Sequence, residues 1–423
     1  MVRSTLLLYI DPGTGAMLFT ALIGLITTAS FAIRKLGIKI KFMLSGGKVE
    51  VQREADKPDI IVFSDHKRYW NVFKPICDEL ERRKIDSCYY TASSDDPALS
   101  EKYSHVHCCF IGEGNRAYAH LNMMSAQICL STTPGLDVYQ WKRSKDTNYY
   151  VHIPHSVGTL TMYRMFGLDF YDSVLLNGDF QERTLRKLET IRGIRAKELH
   201  TVGCIYFDAM RERLKSARTT CKTDSEKITV LLAPSWGPNA ILTKYGEDFL
   251  DALVETGFNI IIRPHPQSKT SENKMLDSLE RKFPESDKWH WNNDNDNFDV
   301  LREADVMISD FSGVIYDYAL VFDGAVIYTE VEFDTSVYDA SWLDEPIWAE
   351  EILPKIGRKL EKKDIKNIKA IIMDAINRTE FNEARDEIRE IVWMHKGEAA
   401  VRTVDYLNAK LVEIKTLKGD GQI

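Results

Sequence analysis

The chain has 423 residues, of which 44% are hydrophobic and 28% charged, and its formal net charge is −8. That length exceeds one ordinary domain, and the acidic balance excludes a general nucleic-acid binder. The seven cysteines contain no CxxC pair, which fits a reducing compartment better than a disulfide framework.

The first element is apolar. Ala16 to Ile33 is a run of 18 residues without a charge. As a helix it would measure ~27 Å, close to the ~30 Å hydrocarbon core of a bilayer. Arg34, Lys35, Lys39 and Lys41 follow it, and Arg3 is the one basic residue before it. This bias predicts a membrane-associated segment over residues 1–47, with the following chain on the cytoplasmic face of the inner membrane. Basic residues after the apolar run argue against a secretory signal. An alternative is a segment that embeds without crossing, with Lys35 to Leu44 on the membrane surface.

After a polar linker, apolar strands alternate with helical periodicities. "DIIVFS", "IDSCYY", "SHVHCCFIG", "AQICLST", "YYVHIPH" and "SVLLN" read as strands of a first domain over residues 48–215. "ITVLLAP", "FNIIIRP", "KWHWN", "DVMIS" and "AVIYT" read as strands of a second, over 225–345. Residues 346–423 read as a charged helical tail packing across both domains. Strands of this apolar kind, separated by helices, imply an α/β fold with parallel sheets covered on both faces.

In such sheets ligands bind beyond the carboxyl ends of the strands. Several polar features of the second half fall there. "APSWGPN" holds Pro234 and Ser235, "RPHPQS" holds Arg263, Pro264 and His265, and "ISDFSG" holds Asp310, Ser312 and Gly313. Together they offer cations, hydroxyls and a helix N-terminus, which suits an anion. In the first half, His155 lies on a loop before Gly158 and Thr159 and is a candidate base, while His152 suits a core position. Asp294 and Asp296 form an Asp-x-Asp pair, with Asp296 or Asn297 more simply a helix cap. No metal or cofactor is expected.

"RPHP", followed by "DVMISDFSGVIYDYAL", resembles the paired signature of the CDP-glycerol glycerophosphotransferase family, which includes teichoic-acid primases and polymerases. The resemblance implies a GT-B fold, two Rossmann-like domains around a cleft, and a CDP-alditol donor. It implies donor contacts from His155, Pro234, Ser235, Arg263, His265, Ser312, Gly313 and Asp317, and Gly158, Thr159 and Pro264 are expected to bind the donor beside them. Tyr206, in "GCIYFD", stands where many members carry arginine, so one phosphate contact is expected from elsewhere, with Arg164 the candidate. The expected reaction moves glycerol phosphate to a membrane-linked glycan or polymer and releases CMP, with His155 and His265 as catalytic residues. The alternatives are a nucleotide-sugar glycosyltransferase of capsule or lipopolysaccharide synthesis, and a non-catalytic scaffold.

Overall fold

The structure is a computed structural model that describes residues 58–217, 228–329 and 334–419. The expected membrane-associated segment, residues 1–47, lies outside them. Among the described residues no helix is long and apolar enough to cross a membrane.

Two parallel sheets organise the chain. The first contains β1 (Ile60–Ser64), β2 (Ser87–Thr91), β3 (Val106–Phe110), β4 (Ser125–Ser131), β5 (Asp146–His152), β6 (Ser173–Leu176) and β7 (Glu198–Thr201). Their spatial order is β3-β2-β1-β4-β5-β6-β7. The second contains β8 (Thr229–Ala233), β9 (Asn259–Ile262), β10 (Trp289–Trp291), β11 (Val306–Ser309), β12 (Ala325–Thr329) and β13 (Arg358–Leu360), ordered β10-β9-β8-β11-β12-β13. Both contain the doubly wound order in which the chain reverses direction beside its first strand.

The apolar runs explain why these strands are central. Ile60 and Val62 of β1 enter one buried cluster, and Ile61 and Phe63 enter another on the opposite face. Val230 and Leu232 of β8 likewise face away from Leu231 and Ala233. A strand covered on both sides has no solvent face to mark with polar residues.

The tail is not wholly helical. Arg358–Leu360 adds a sixth strand to the second sheet, through Tyr328↔Lys359 and its neighbours. A three-residue strand with two basic residues carries no apolar period to announce it. The stretch Ile241–Glu255 consists of two helical segments that meet at a kink at Gly246 (φ 56°).

The two halves share packing beneath the cleft between them. Phe207 and Met210, on the helix Ile205–Ser216, join a buried cluster with Ile315 and Ala319 of the helix Val314–Val321. Ile388 and Val392 of the helix Asn382–Val392 complete this cluster. The last helix, Ala399–Gly419, then returns to the first sheet, where Val404, Leu407 and Leu411 pack with Val62 and Phe73. A second tie is electrostatic. Asp339 accepts the backbone N–H of Phe166 at 2.7 Å and pairs with Arg192, which also pairs with Asp169 at 2.6 Å.

The tail passes close to the first sheet at Gly203. A Cβ there would lie 2.3 Å from the Met394 carbonyl oxygen, and Gly203 adopts φ +100°. Gly203→Ala should therefore destabilise the protein by ~2 kcal/mol or more, through strain and collision together. Urea denaturation measures this, and an unchanged midpoint would show that the crossover is slack.

Candidate active site

Each sheet has a switch point where neighbouring loops diverge, β1 against β4 in the first and β8 against β11 in the second. Register places the loop starts level: Phe63 pairs with Ser131, and Ala233 pairs with Ser309. Loops from both switch points line one cleft of about 440 Å³.

The second sheet supplies most of its charge recognition. Arg263 leaves β9 with its backbone N–H still in the ladder, donating to the Leu232 carbonyl at 2.8 Å. Its guanidinium donates to the Asn292 side chain and, at 2.9 Å, to the Asp294 carbonyl. Burial lowers its pKa, but the guanidinium stays charged near neutrality. His265 accepts the Gln267 backbone N–H at Nδ1, at 3.1 Å. That contact leaves the proton of the neutral ring on Nε2, available as a donor. Burial first, then the Arg68 cation, push the His265 pKa down to about 4.

Asp310 does not line the cleft. It is fully buried and accepts the N–H groups of Ser235 at 2.9 Å and Ile241 at 3.0 Å. It therefore locks the loop after β8 to the loop after β11, and its pKa rises to about 6 because burial outweighs those bonds. Pro234, Pro264, Ser312 and Gly313 line the cleft beside that lock, and Ser235 faces an adjoining cavity that shares its inner wall. The Ser312 N–H turns toward Asp310, so Gly313 and Val314 present the helix end.

Asp317 sits on the cleft floor, 6% exposed, with Oδ1 lacking a partner. Burial raises its pKa to about 8, opposed by the Tyr206 hydroxyl. Tyr206 itself donates to Asn297 at 3.1 Å. The neighbour of this carboxyl is thus a phenol and not a cation.

The first sheet contributes His155, half-buried, whose Nδ1 lies 3.0 Å from the Thr132 hydroxyl and whose ring lies 4.6 Å from that of Tyr69. Burial and then Arg68 push its pKa down to about 4. Gly158 and Thr159 line the adjoining cavity rather than the charged cleft. His152 is a core residue, fully buried with Nε2 3.1 Å from the Tyr163 hydroxyl. Asp296 caps the helix Phe298–Glu303 through the Phe298 N–H and pairs with Arg213, so both its oxygens are engaged.

Arg164 does not reach the cleft: it is exposed and bridges to Tyr338 through its backbone. The further cation is Arg68, which lines the cleft from the loop after β1. Sequence reasoning missed it by favouring Arg164 as the first-half cation. The signal was present in "SDHKRY", a cluster of charges directly after the most apolar strand of the first half.

Residues 168–341 match the family model of CDP-Glycerol:Poly(glycerophosphate) glycerophosphotransferase. Over that stretch, less than half of the chain, the sequence is similar to the CDP-glycerol glycerophosphotransferase family. The matched stretch contains Tyr206, Arg263, His265, Ser312 and Asp317, while Arg68 and His155 precede it. A solved structure of the wall teichoic acid polymerase TagF, soaked with CDPG, is 15% identical, covering 90% of this chain and 98% of that one, with a TM-score of 0.54. The S. aureus MnaA–UDP structure is 12% identical, covers 83% and 96%, and has a TM-score of 0.55. The Methanocaldococcus jannaschii UDP-GlcNAc 2-epimerase is 12% identical, covers 83% and 99%, and has a TM-score of 0.50. At these identities the likeness carries the fold alone, two parallel sheets facing a cleft. No curated protein matches the chain.

The Asp317 carboxyl gives a stability test. Below pH ~4 it is protonated in the folded and unfolded chain alike. Between about pH 4 and 8 the unfolded chain releases a proton that the folded chain keeps. Stability therefore falls as pH rises across that window, by up to a few kcal/mol in total. Asp317→Asn should raise the melting temperature of the ligand-free protein, with a larger gain at pH 8 than at pH 5. Equal gains at both pH values in differential scanning fluorimetry would refute the buried ionisation.

Proposed function

We propose that the chain transfers glycerol phosphate from CDP-glycerol to a hydroxyl of a membrane-linked cell-surface glycan or polymer. The acceptor oxygen forms a bond to the phosphorus that bears glycerol. The bond from that phosphorus to the bridging oxygen breaks, and CMP leaves with the electron pair. The observation that carries this reading is the meeting of Arg68 and Arg263 with the helix end at Gly313 and Val314 around one cleft. Two guanidinium groups match the two negative charges of a pyrophosphate diester, and the helix end adds a fixed dipole. Phosphoryl transfer asks the protein mainly for position and charge stabilisation.

His155 would take the acceptor proton. Its depressed pKa keeps the imidazole unprotonated at neutral pH, as a base requires. The Thr132 hydroxyl holds Nδ1 and leaves Nε2 to work. His265 would donate Nε2–H to a phosphate oxygen, and the unpartnered Asp317 oxygen would accept a ribose or cytidine hydroxyl. The reaction would take place at the cytoplasmic face of the inner membrane. That reading rests on the uncharged run from Ala16 to Ile33 and the basic residues after it.

The two histidines should separate experimentally. His155→Ala should lower CMP release by ~100-fold or more and leave CDP-glycerol affinity within a few-fold, because a general base acts chiefly in the transition state. His265→Ala should weaken both donor binding and turnover, each by roughly tenfold. Calorimetric titration of donor beside a CMP-release assay distinguishes them, and full transfer by both variants would remove this mechanism.

The pH profile offers a second check. An unperturbed imidazole would lose activity below about pH 6 to 7. Here the free protein should hold kcat/KM for donor down to about pH 4 to 5, because His155 titrates near 4. Bound pyrophosphate places negative charge beside the imidazole and raises its pKa, so the acid limb of kcat should lie at higher pH. The opposite order of the two limbs would exclude His155 as the base.

A further inference from the structure

The helix Val314–Val321 opens on the charged cleft, and its far end lies ~12 Å deeper in the protein. The last carbonyls of a helix have no partner within it. Here Arg389, from the helix Asn382–Val392, supplies one. Its Nε donates to the Leu320 carbonyl at 2.7 Å, and its Nη2 to the Ala319 carbonyl at 3.4 Å. Asp323 and Asp386 pair with the same guanidinium and hold it in place. One turn back, Arg385 is 5% exposed and donates to the Ile356 carbonyl at 2.8 Å and the Asp323 carbonyl at 3.4 Å. Cations at this end complement the helix dipole, whose opposite pole faces the cleft.

The same stretch of tail also reaches the loop of His155. The Met394 N–H donates to the Asn177 carbonyl at 3.2 Å. Asn177 is buried, and its side chain donates to the carbonyl of Ser156, which follows His155 directly, at 2.9 Å. Gln181, also buried, adds a second hold. Its Oε1 accepts the Asn177 N–H at 2.8 Å, and its Nε2 donates to the Gly158 carbonyl at 2.6 Å. The tail passes here without slack, since a Cβ on Gly178 would lie 2.1 Å from the Ile391 carbonyl oxygen. Arg389, Asn177 and Met394 themselves line neither the cleft nor the adjoining cavity.

We propose that the stretch Arg389–Met394 is a spacer that sets the distance between the donor phosphates and His155, with Arg389 and Asn177 as positioning residues. The inference rests on the donor reaction and the base proposed above. Reacting atoms must approach to ~3 to 3.5 Å, and a misplacement of ~1 Å costs on the order of 100-fold in rate. Arg389 acts through the helix end at Gly313 and Val314, so its loss is felt in donor binding. Asn177 acts through Ser156 and the loop of His155, so its loss is felt in the transfer step.

The test uses full-chain protein in detergent. Calorimetric titration reads CDP-glycerol affinity, and CMP release with membrane lipid extract as the source of acceptor reads turnover. Arg389→Met keeps the stem without the cation and should weaken CDP-glycerol binding by roughly tenfold. Arg389→Lys keeps the charge without the planar fork and should weaken it by about threefold. Asn177→Ala should leave that affinity within about twofold and lower kcat by roughly 30-fold. Leu411→Ala, in the core of the first sheet, controls for lost stability and, while folded, should change neither quantity by more than about twofold. A merely structural role predicts that all four variants lose binding and turnover together, in step with their melting temperatures, and that result would overturn the proposal. Unchanged donor affinity in the Arg389 variants, or full kcat in Asn177→Ala, would overturn it too. Should Arg389→Met fail to fold, the affinity of Arg389→Lys decides. Wild-type protein that binds CDP-glycerol and releases no CMP would remove the donor reaction and the Asn177 role with it. The Arg389 role would then stand or fall on calorimetry alone.

Discussion

The Asp310 carboxylate is the fastening on which the charged side of the cleft depends. It is fully buried at the end of β11, and it binds backbone N–H groups from the loop after β8. A carboxylate in that place is costly to ionise unless those donors face it. Here they do, and the same bonds fix two loops to each other. Ser235, Pro234, Ser312 and Gly313 therefore keep their places. The helix that opens at Val314 then aims its N-terminus at the space where Arg263 and His265 arrive from β9.

Strand direction sets the rest. In an all-parallel sheet every carboxyl end lies at one edge, and the switch point is the one place where adjacent loops part. Two such sheets facing each other bring Arg68 and His155 from one side to Arg263 and Ser312 on the other. The shared buried cluster of Phe207, Ile315 and Val392 maintains that facing arrangement from below. The tail completes it by leaving the second sheet and ending on the first, with Leu407 and Leu411 in the first sheet's core.

Charge is divided between two neighbouring hollows. One holds two guanidinium groups and a helix end, as an anionic donor needs. The other, the adjoining cavity, is lined by aromatic side chains. The Arg68 cation affects both, because it depresses the two histidines that stand at the junction. Tyr206 offers Asp317 a hydroxyl rather than a cation, and burial leaves that carboxyl to hold its proton to about pH 8.

The sequence by itself determined the strands, the parallel class of the sheets and the second half of the site. Runs such as "ITVLLA" and "DVMIS" are apolar at every position that a doubly covered strand must bury, and Arg263, His265 and Ser312 follow those runs directly. Local pattern suffices there because each residue's place depends on its own strand. The first half of the site was partly legible: His155 was visible as a loop histidine, whereas Arg68 was overlooked and Arg164 was chosen in its place. Which cation enters the cleft depends on how one sheet is rotated against the other, a relation set by contacts hundreds of residues apart. The same holds for β13, whose three residues become a strand because β12 offers an open edge. It holds for the aromatic cavity too, since Tyr69, Tyr163, Trp236 and Trp348 share no period or motif in the chain. Tertiary packing alone gathers them, because no local interaction links residues so far apart in sequence until both sheets have formed and docked.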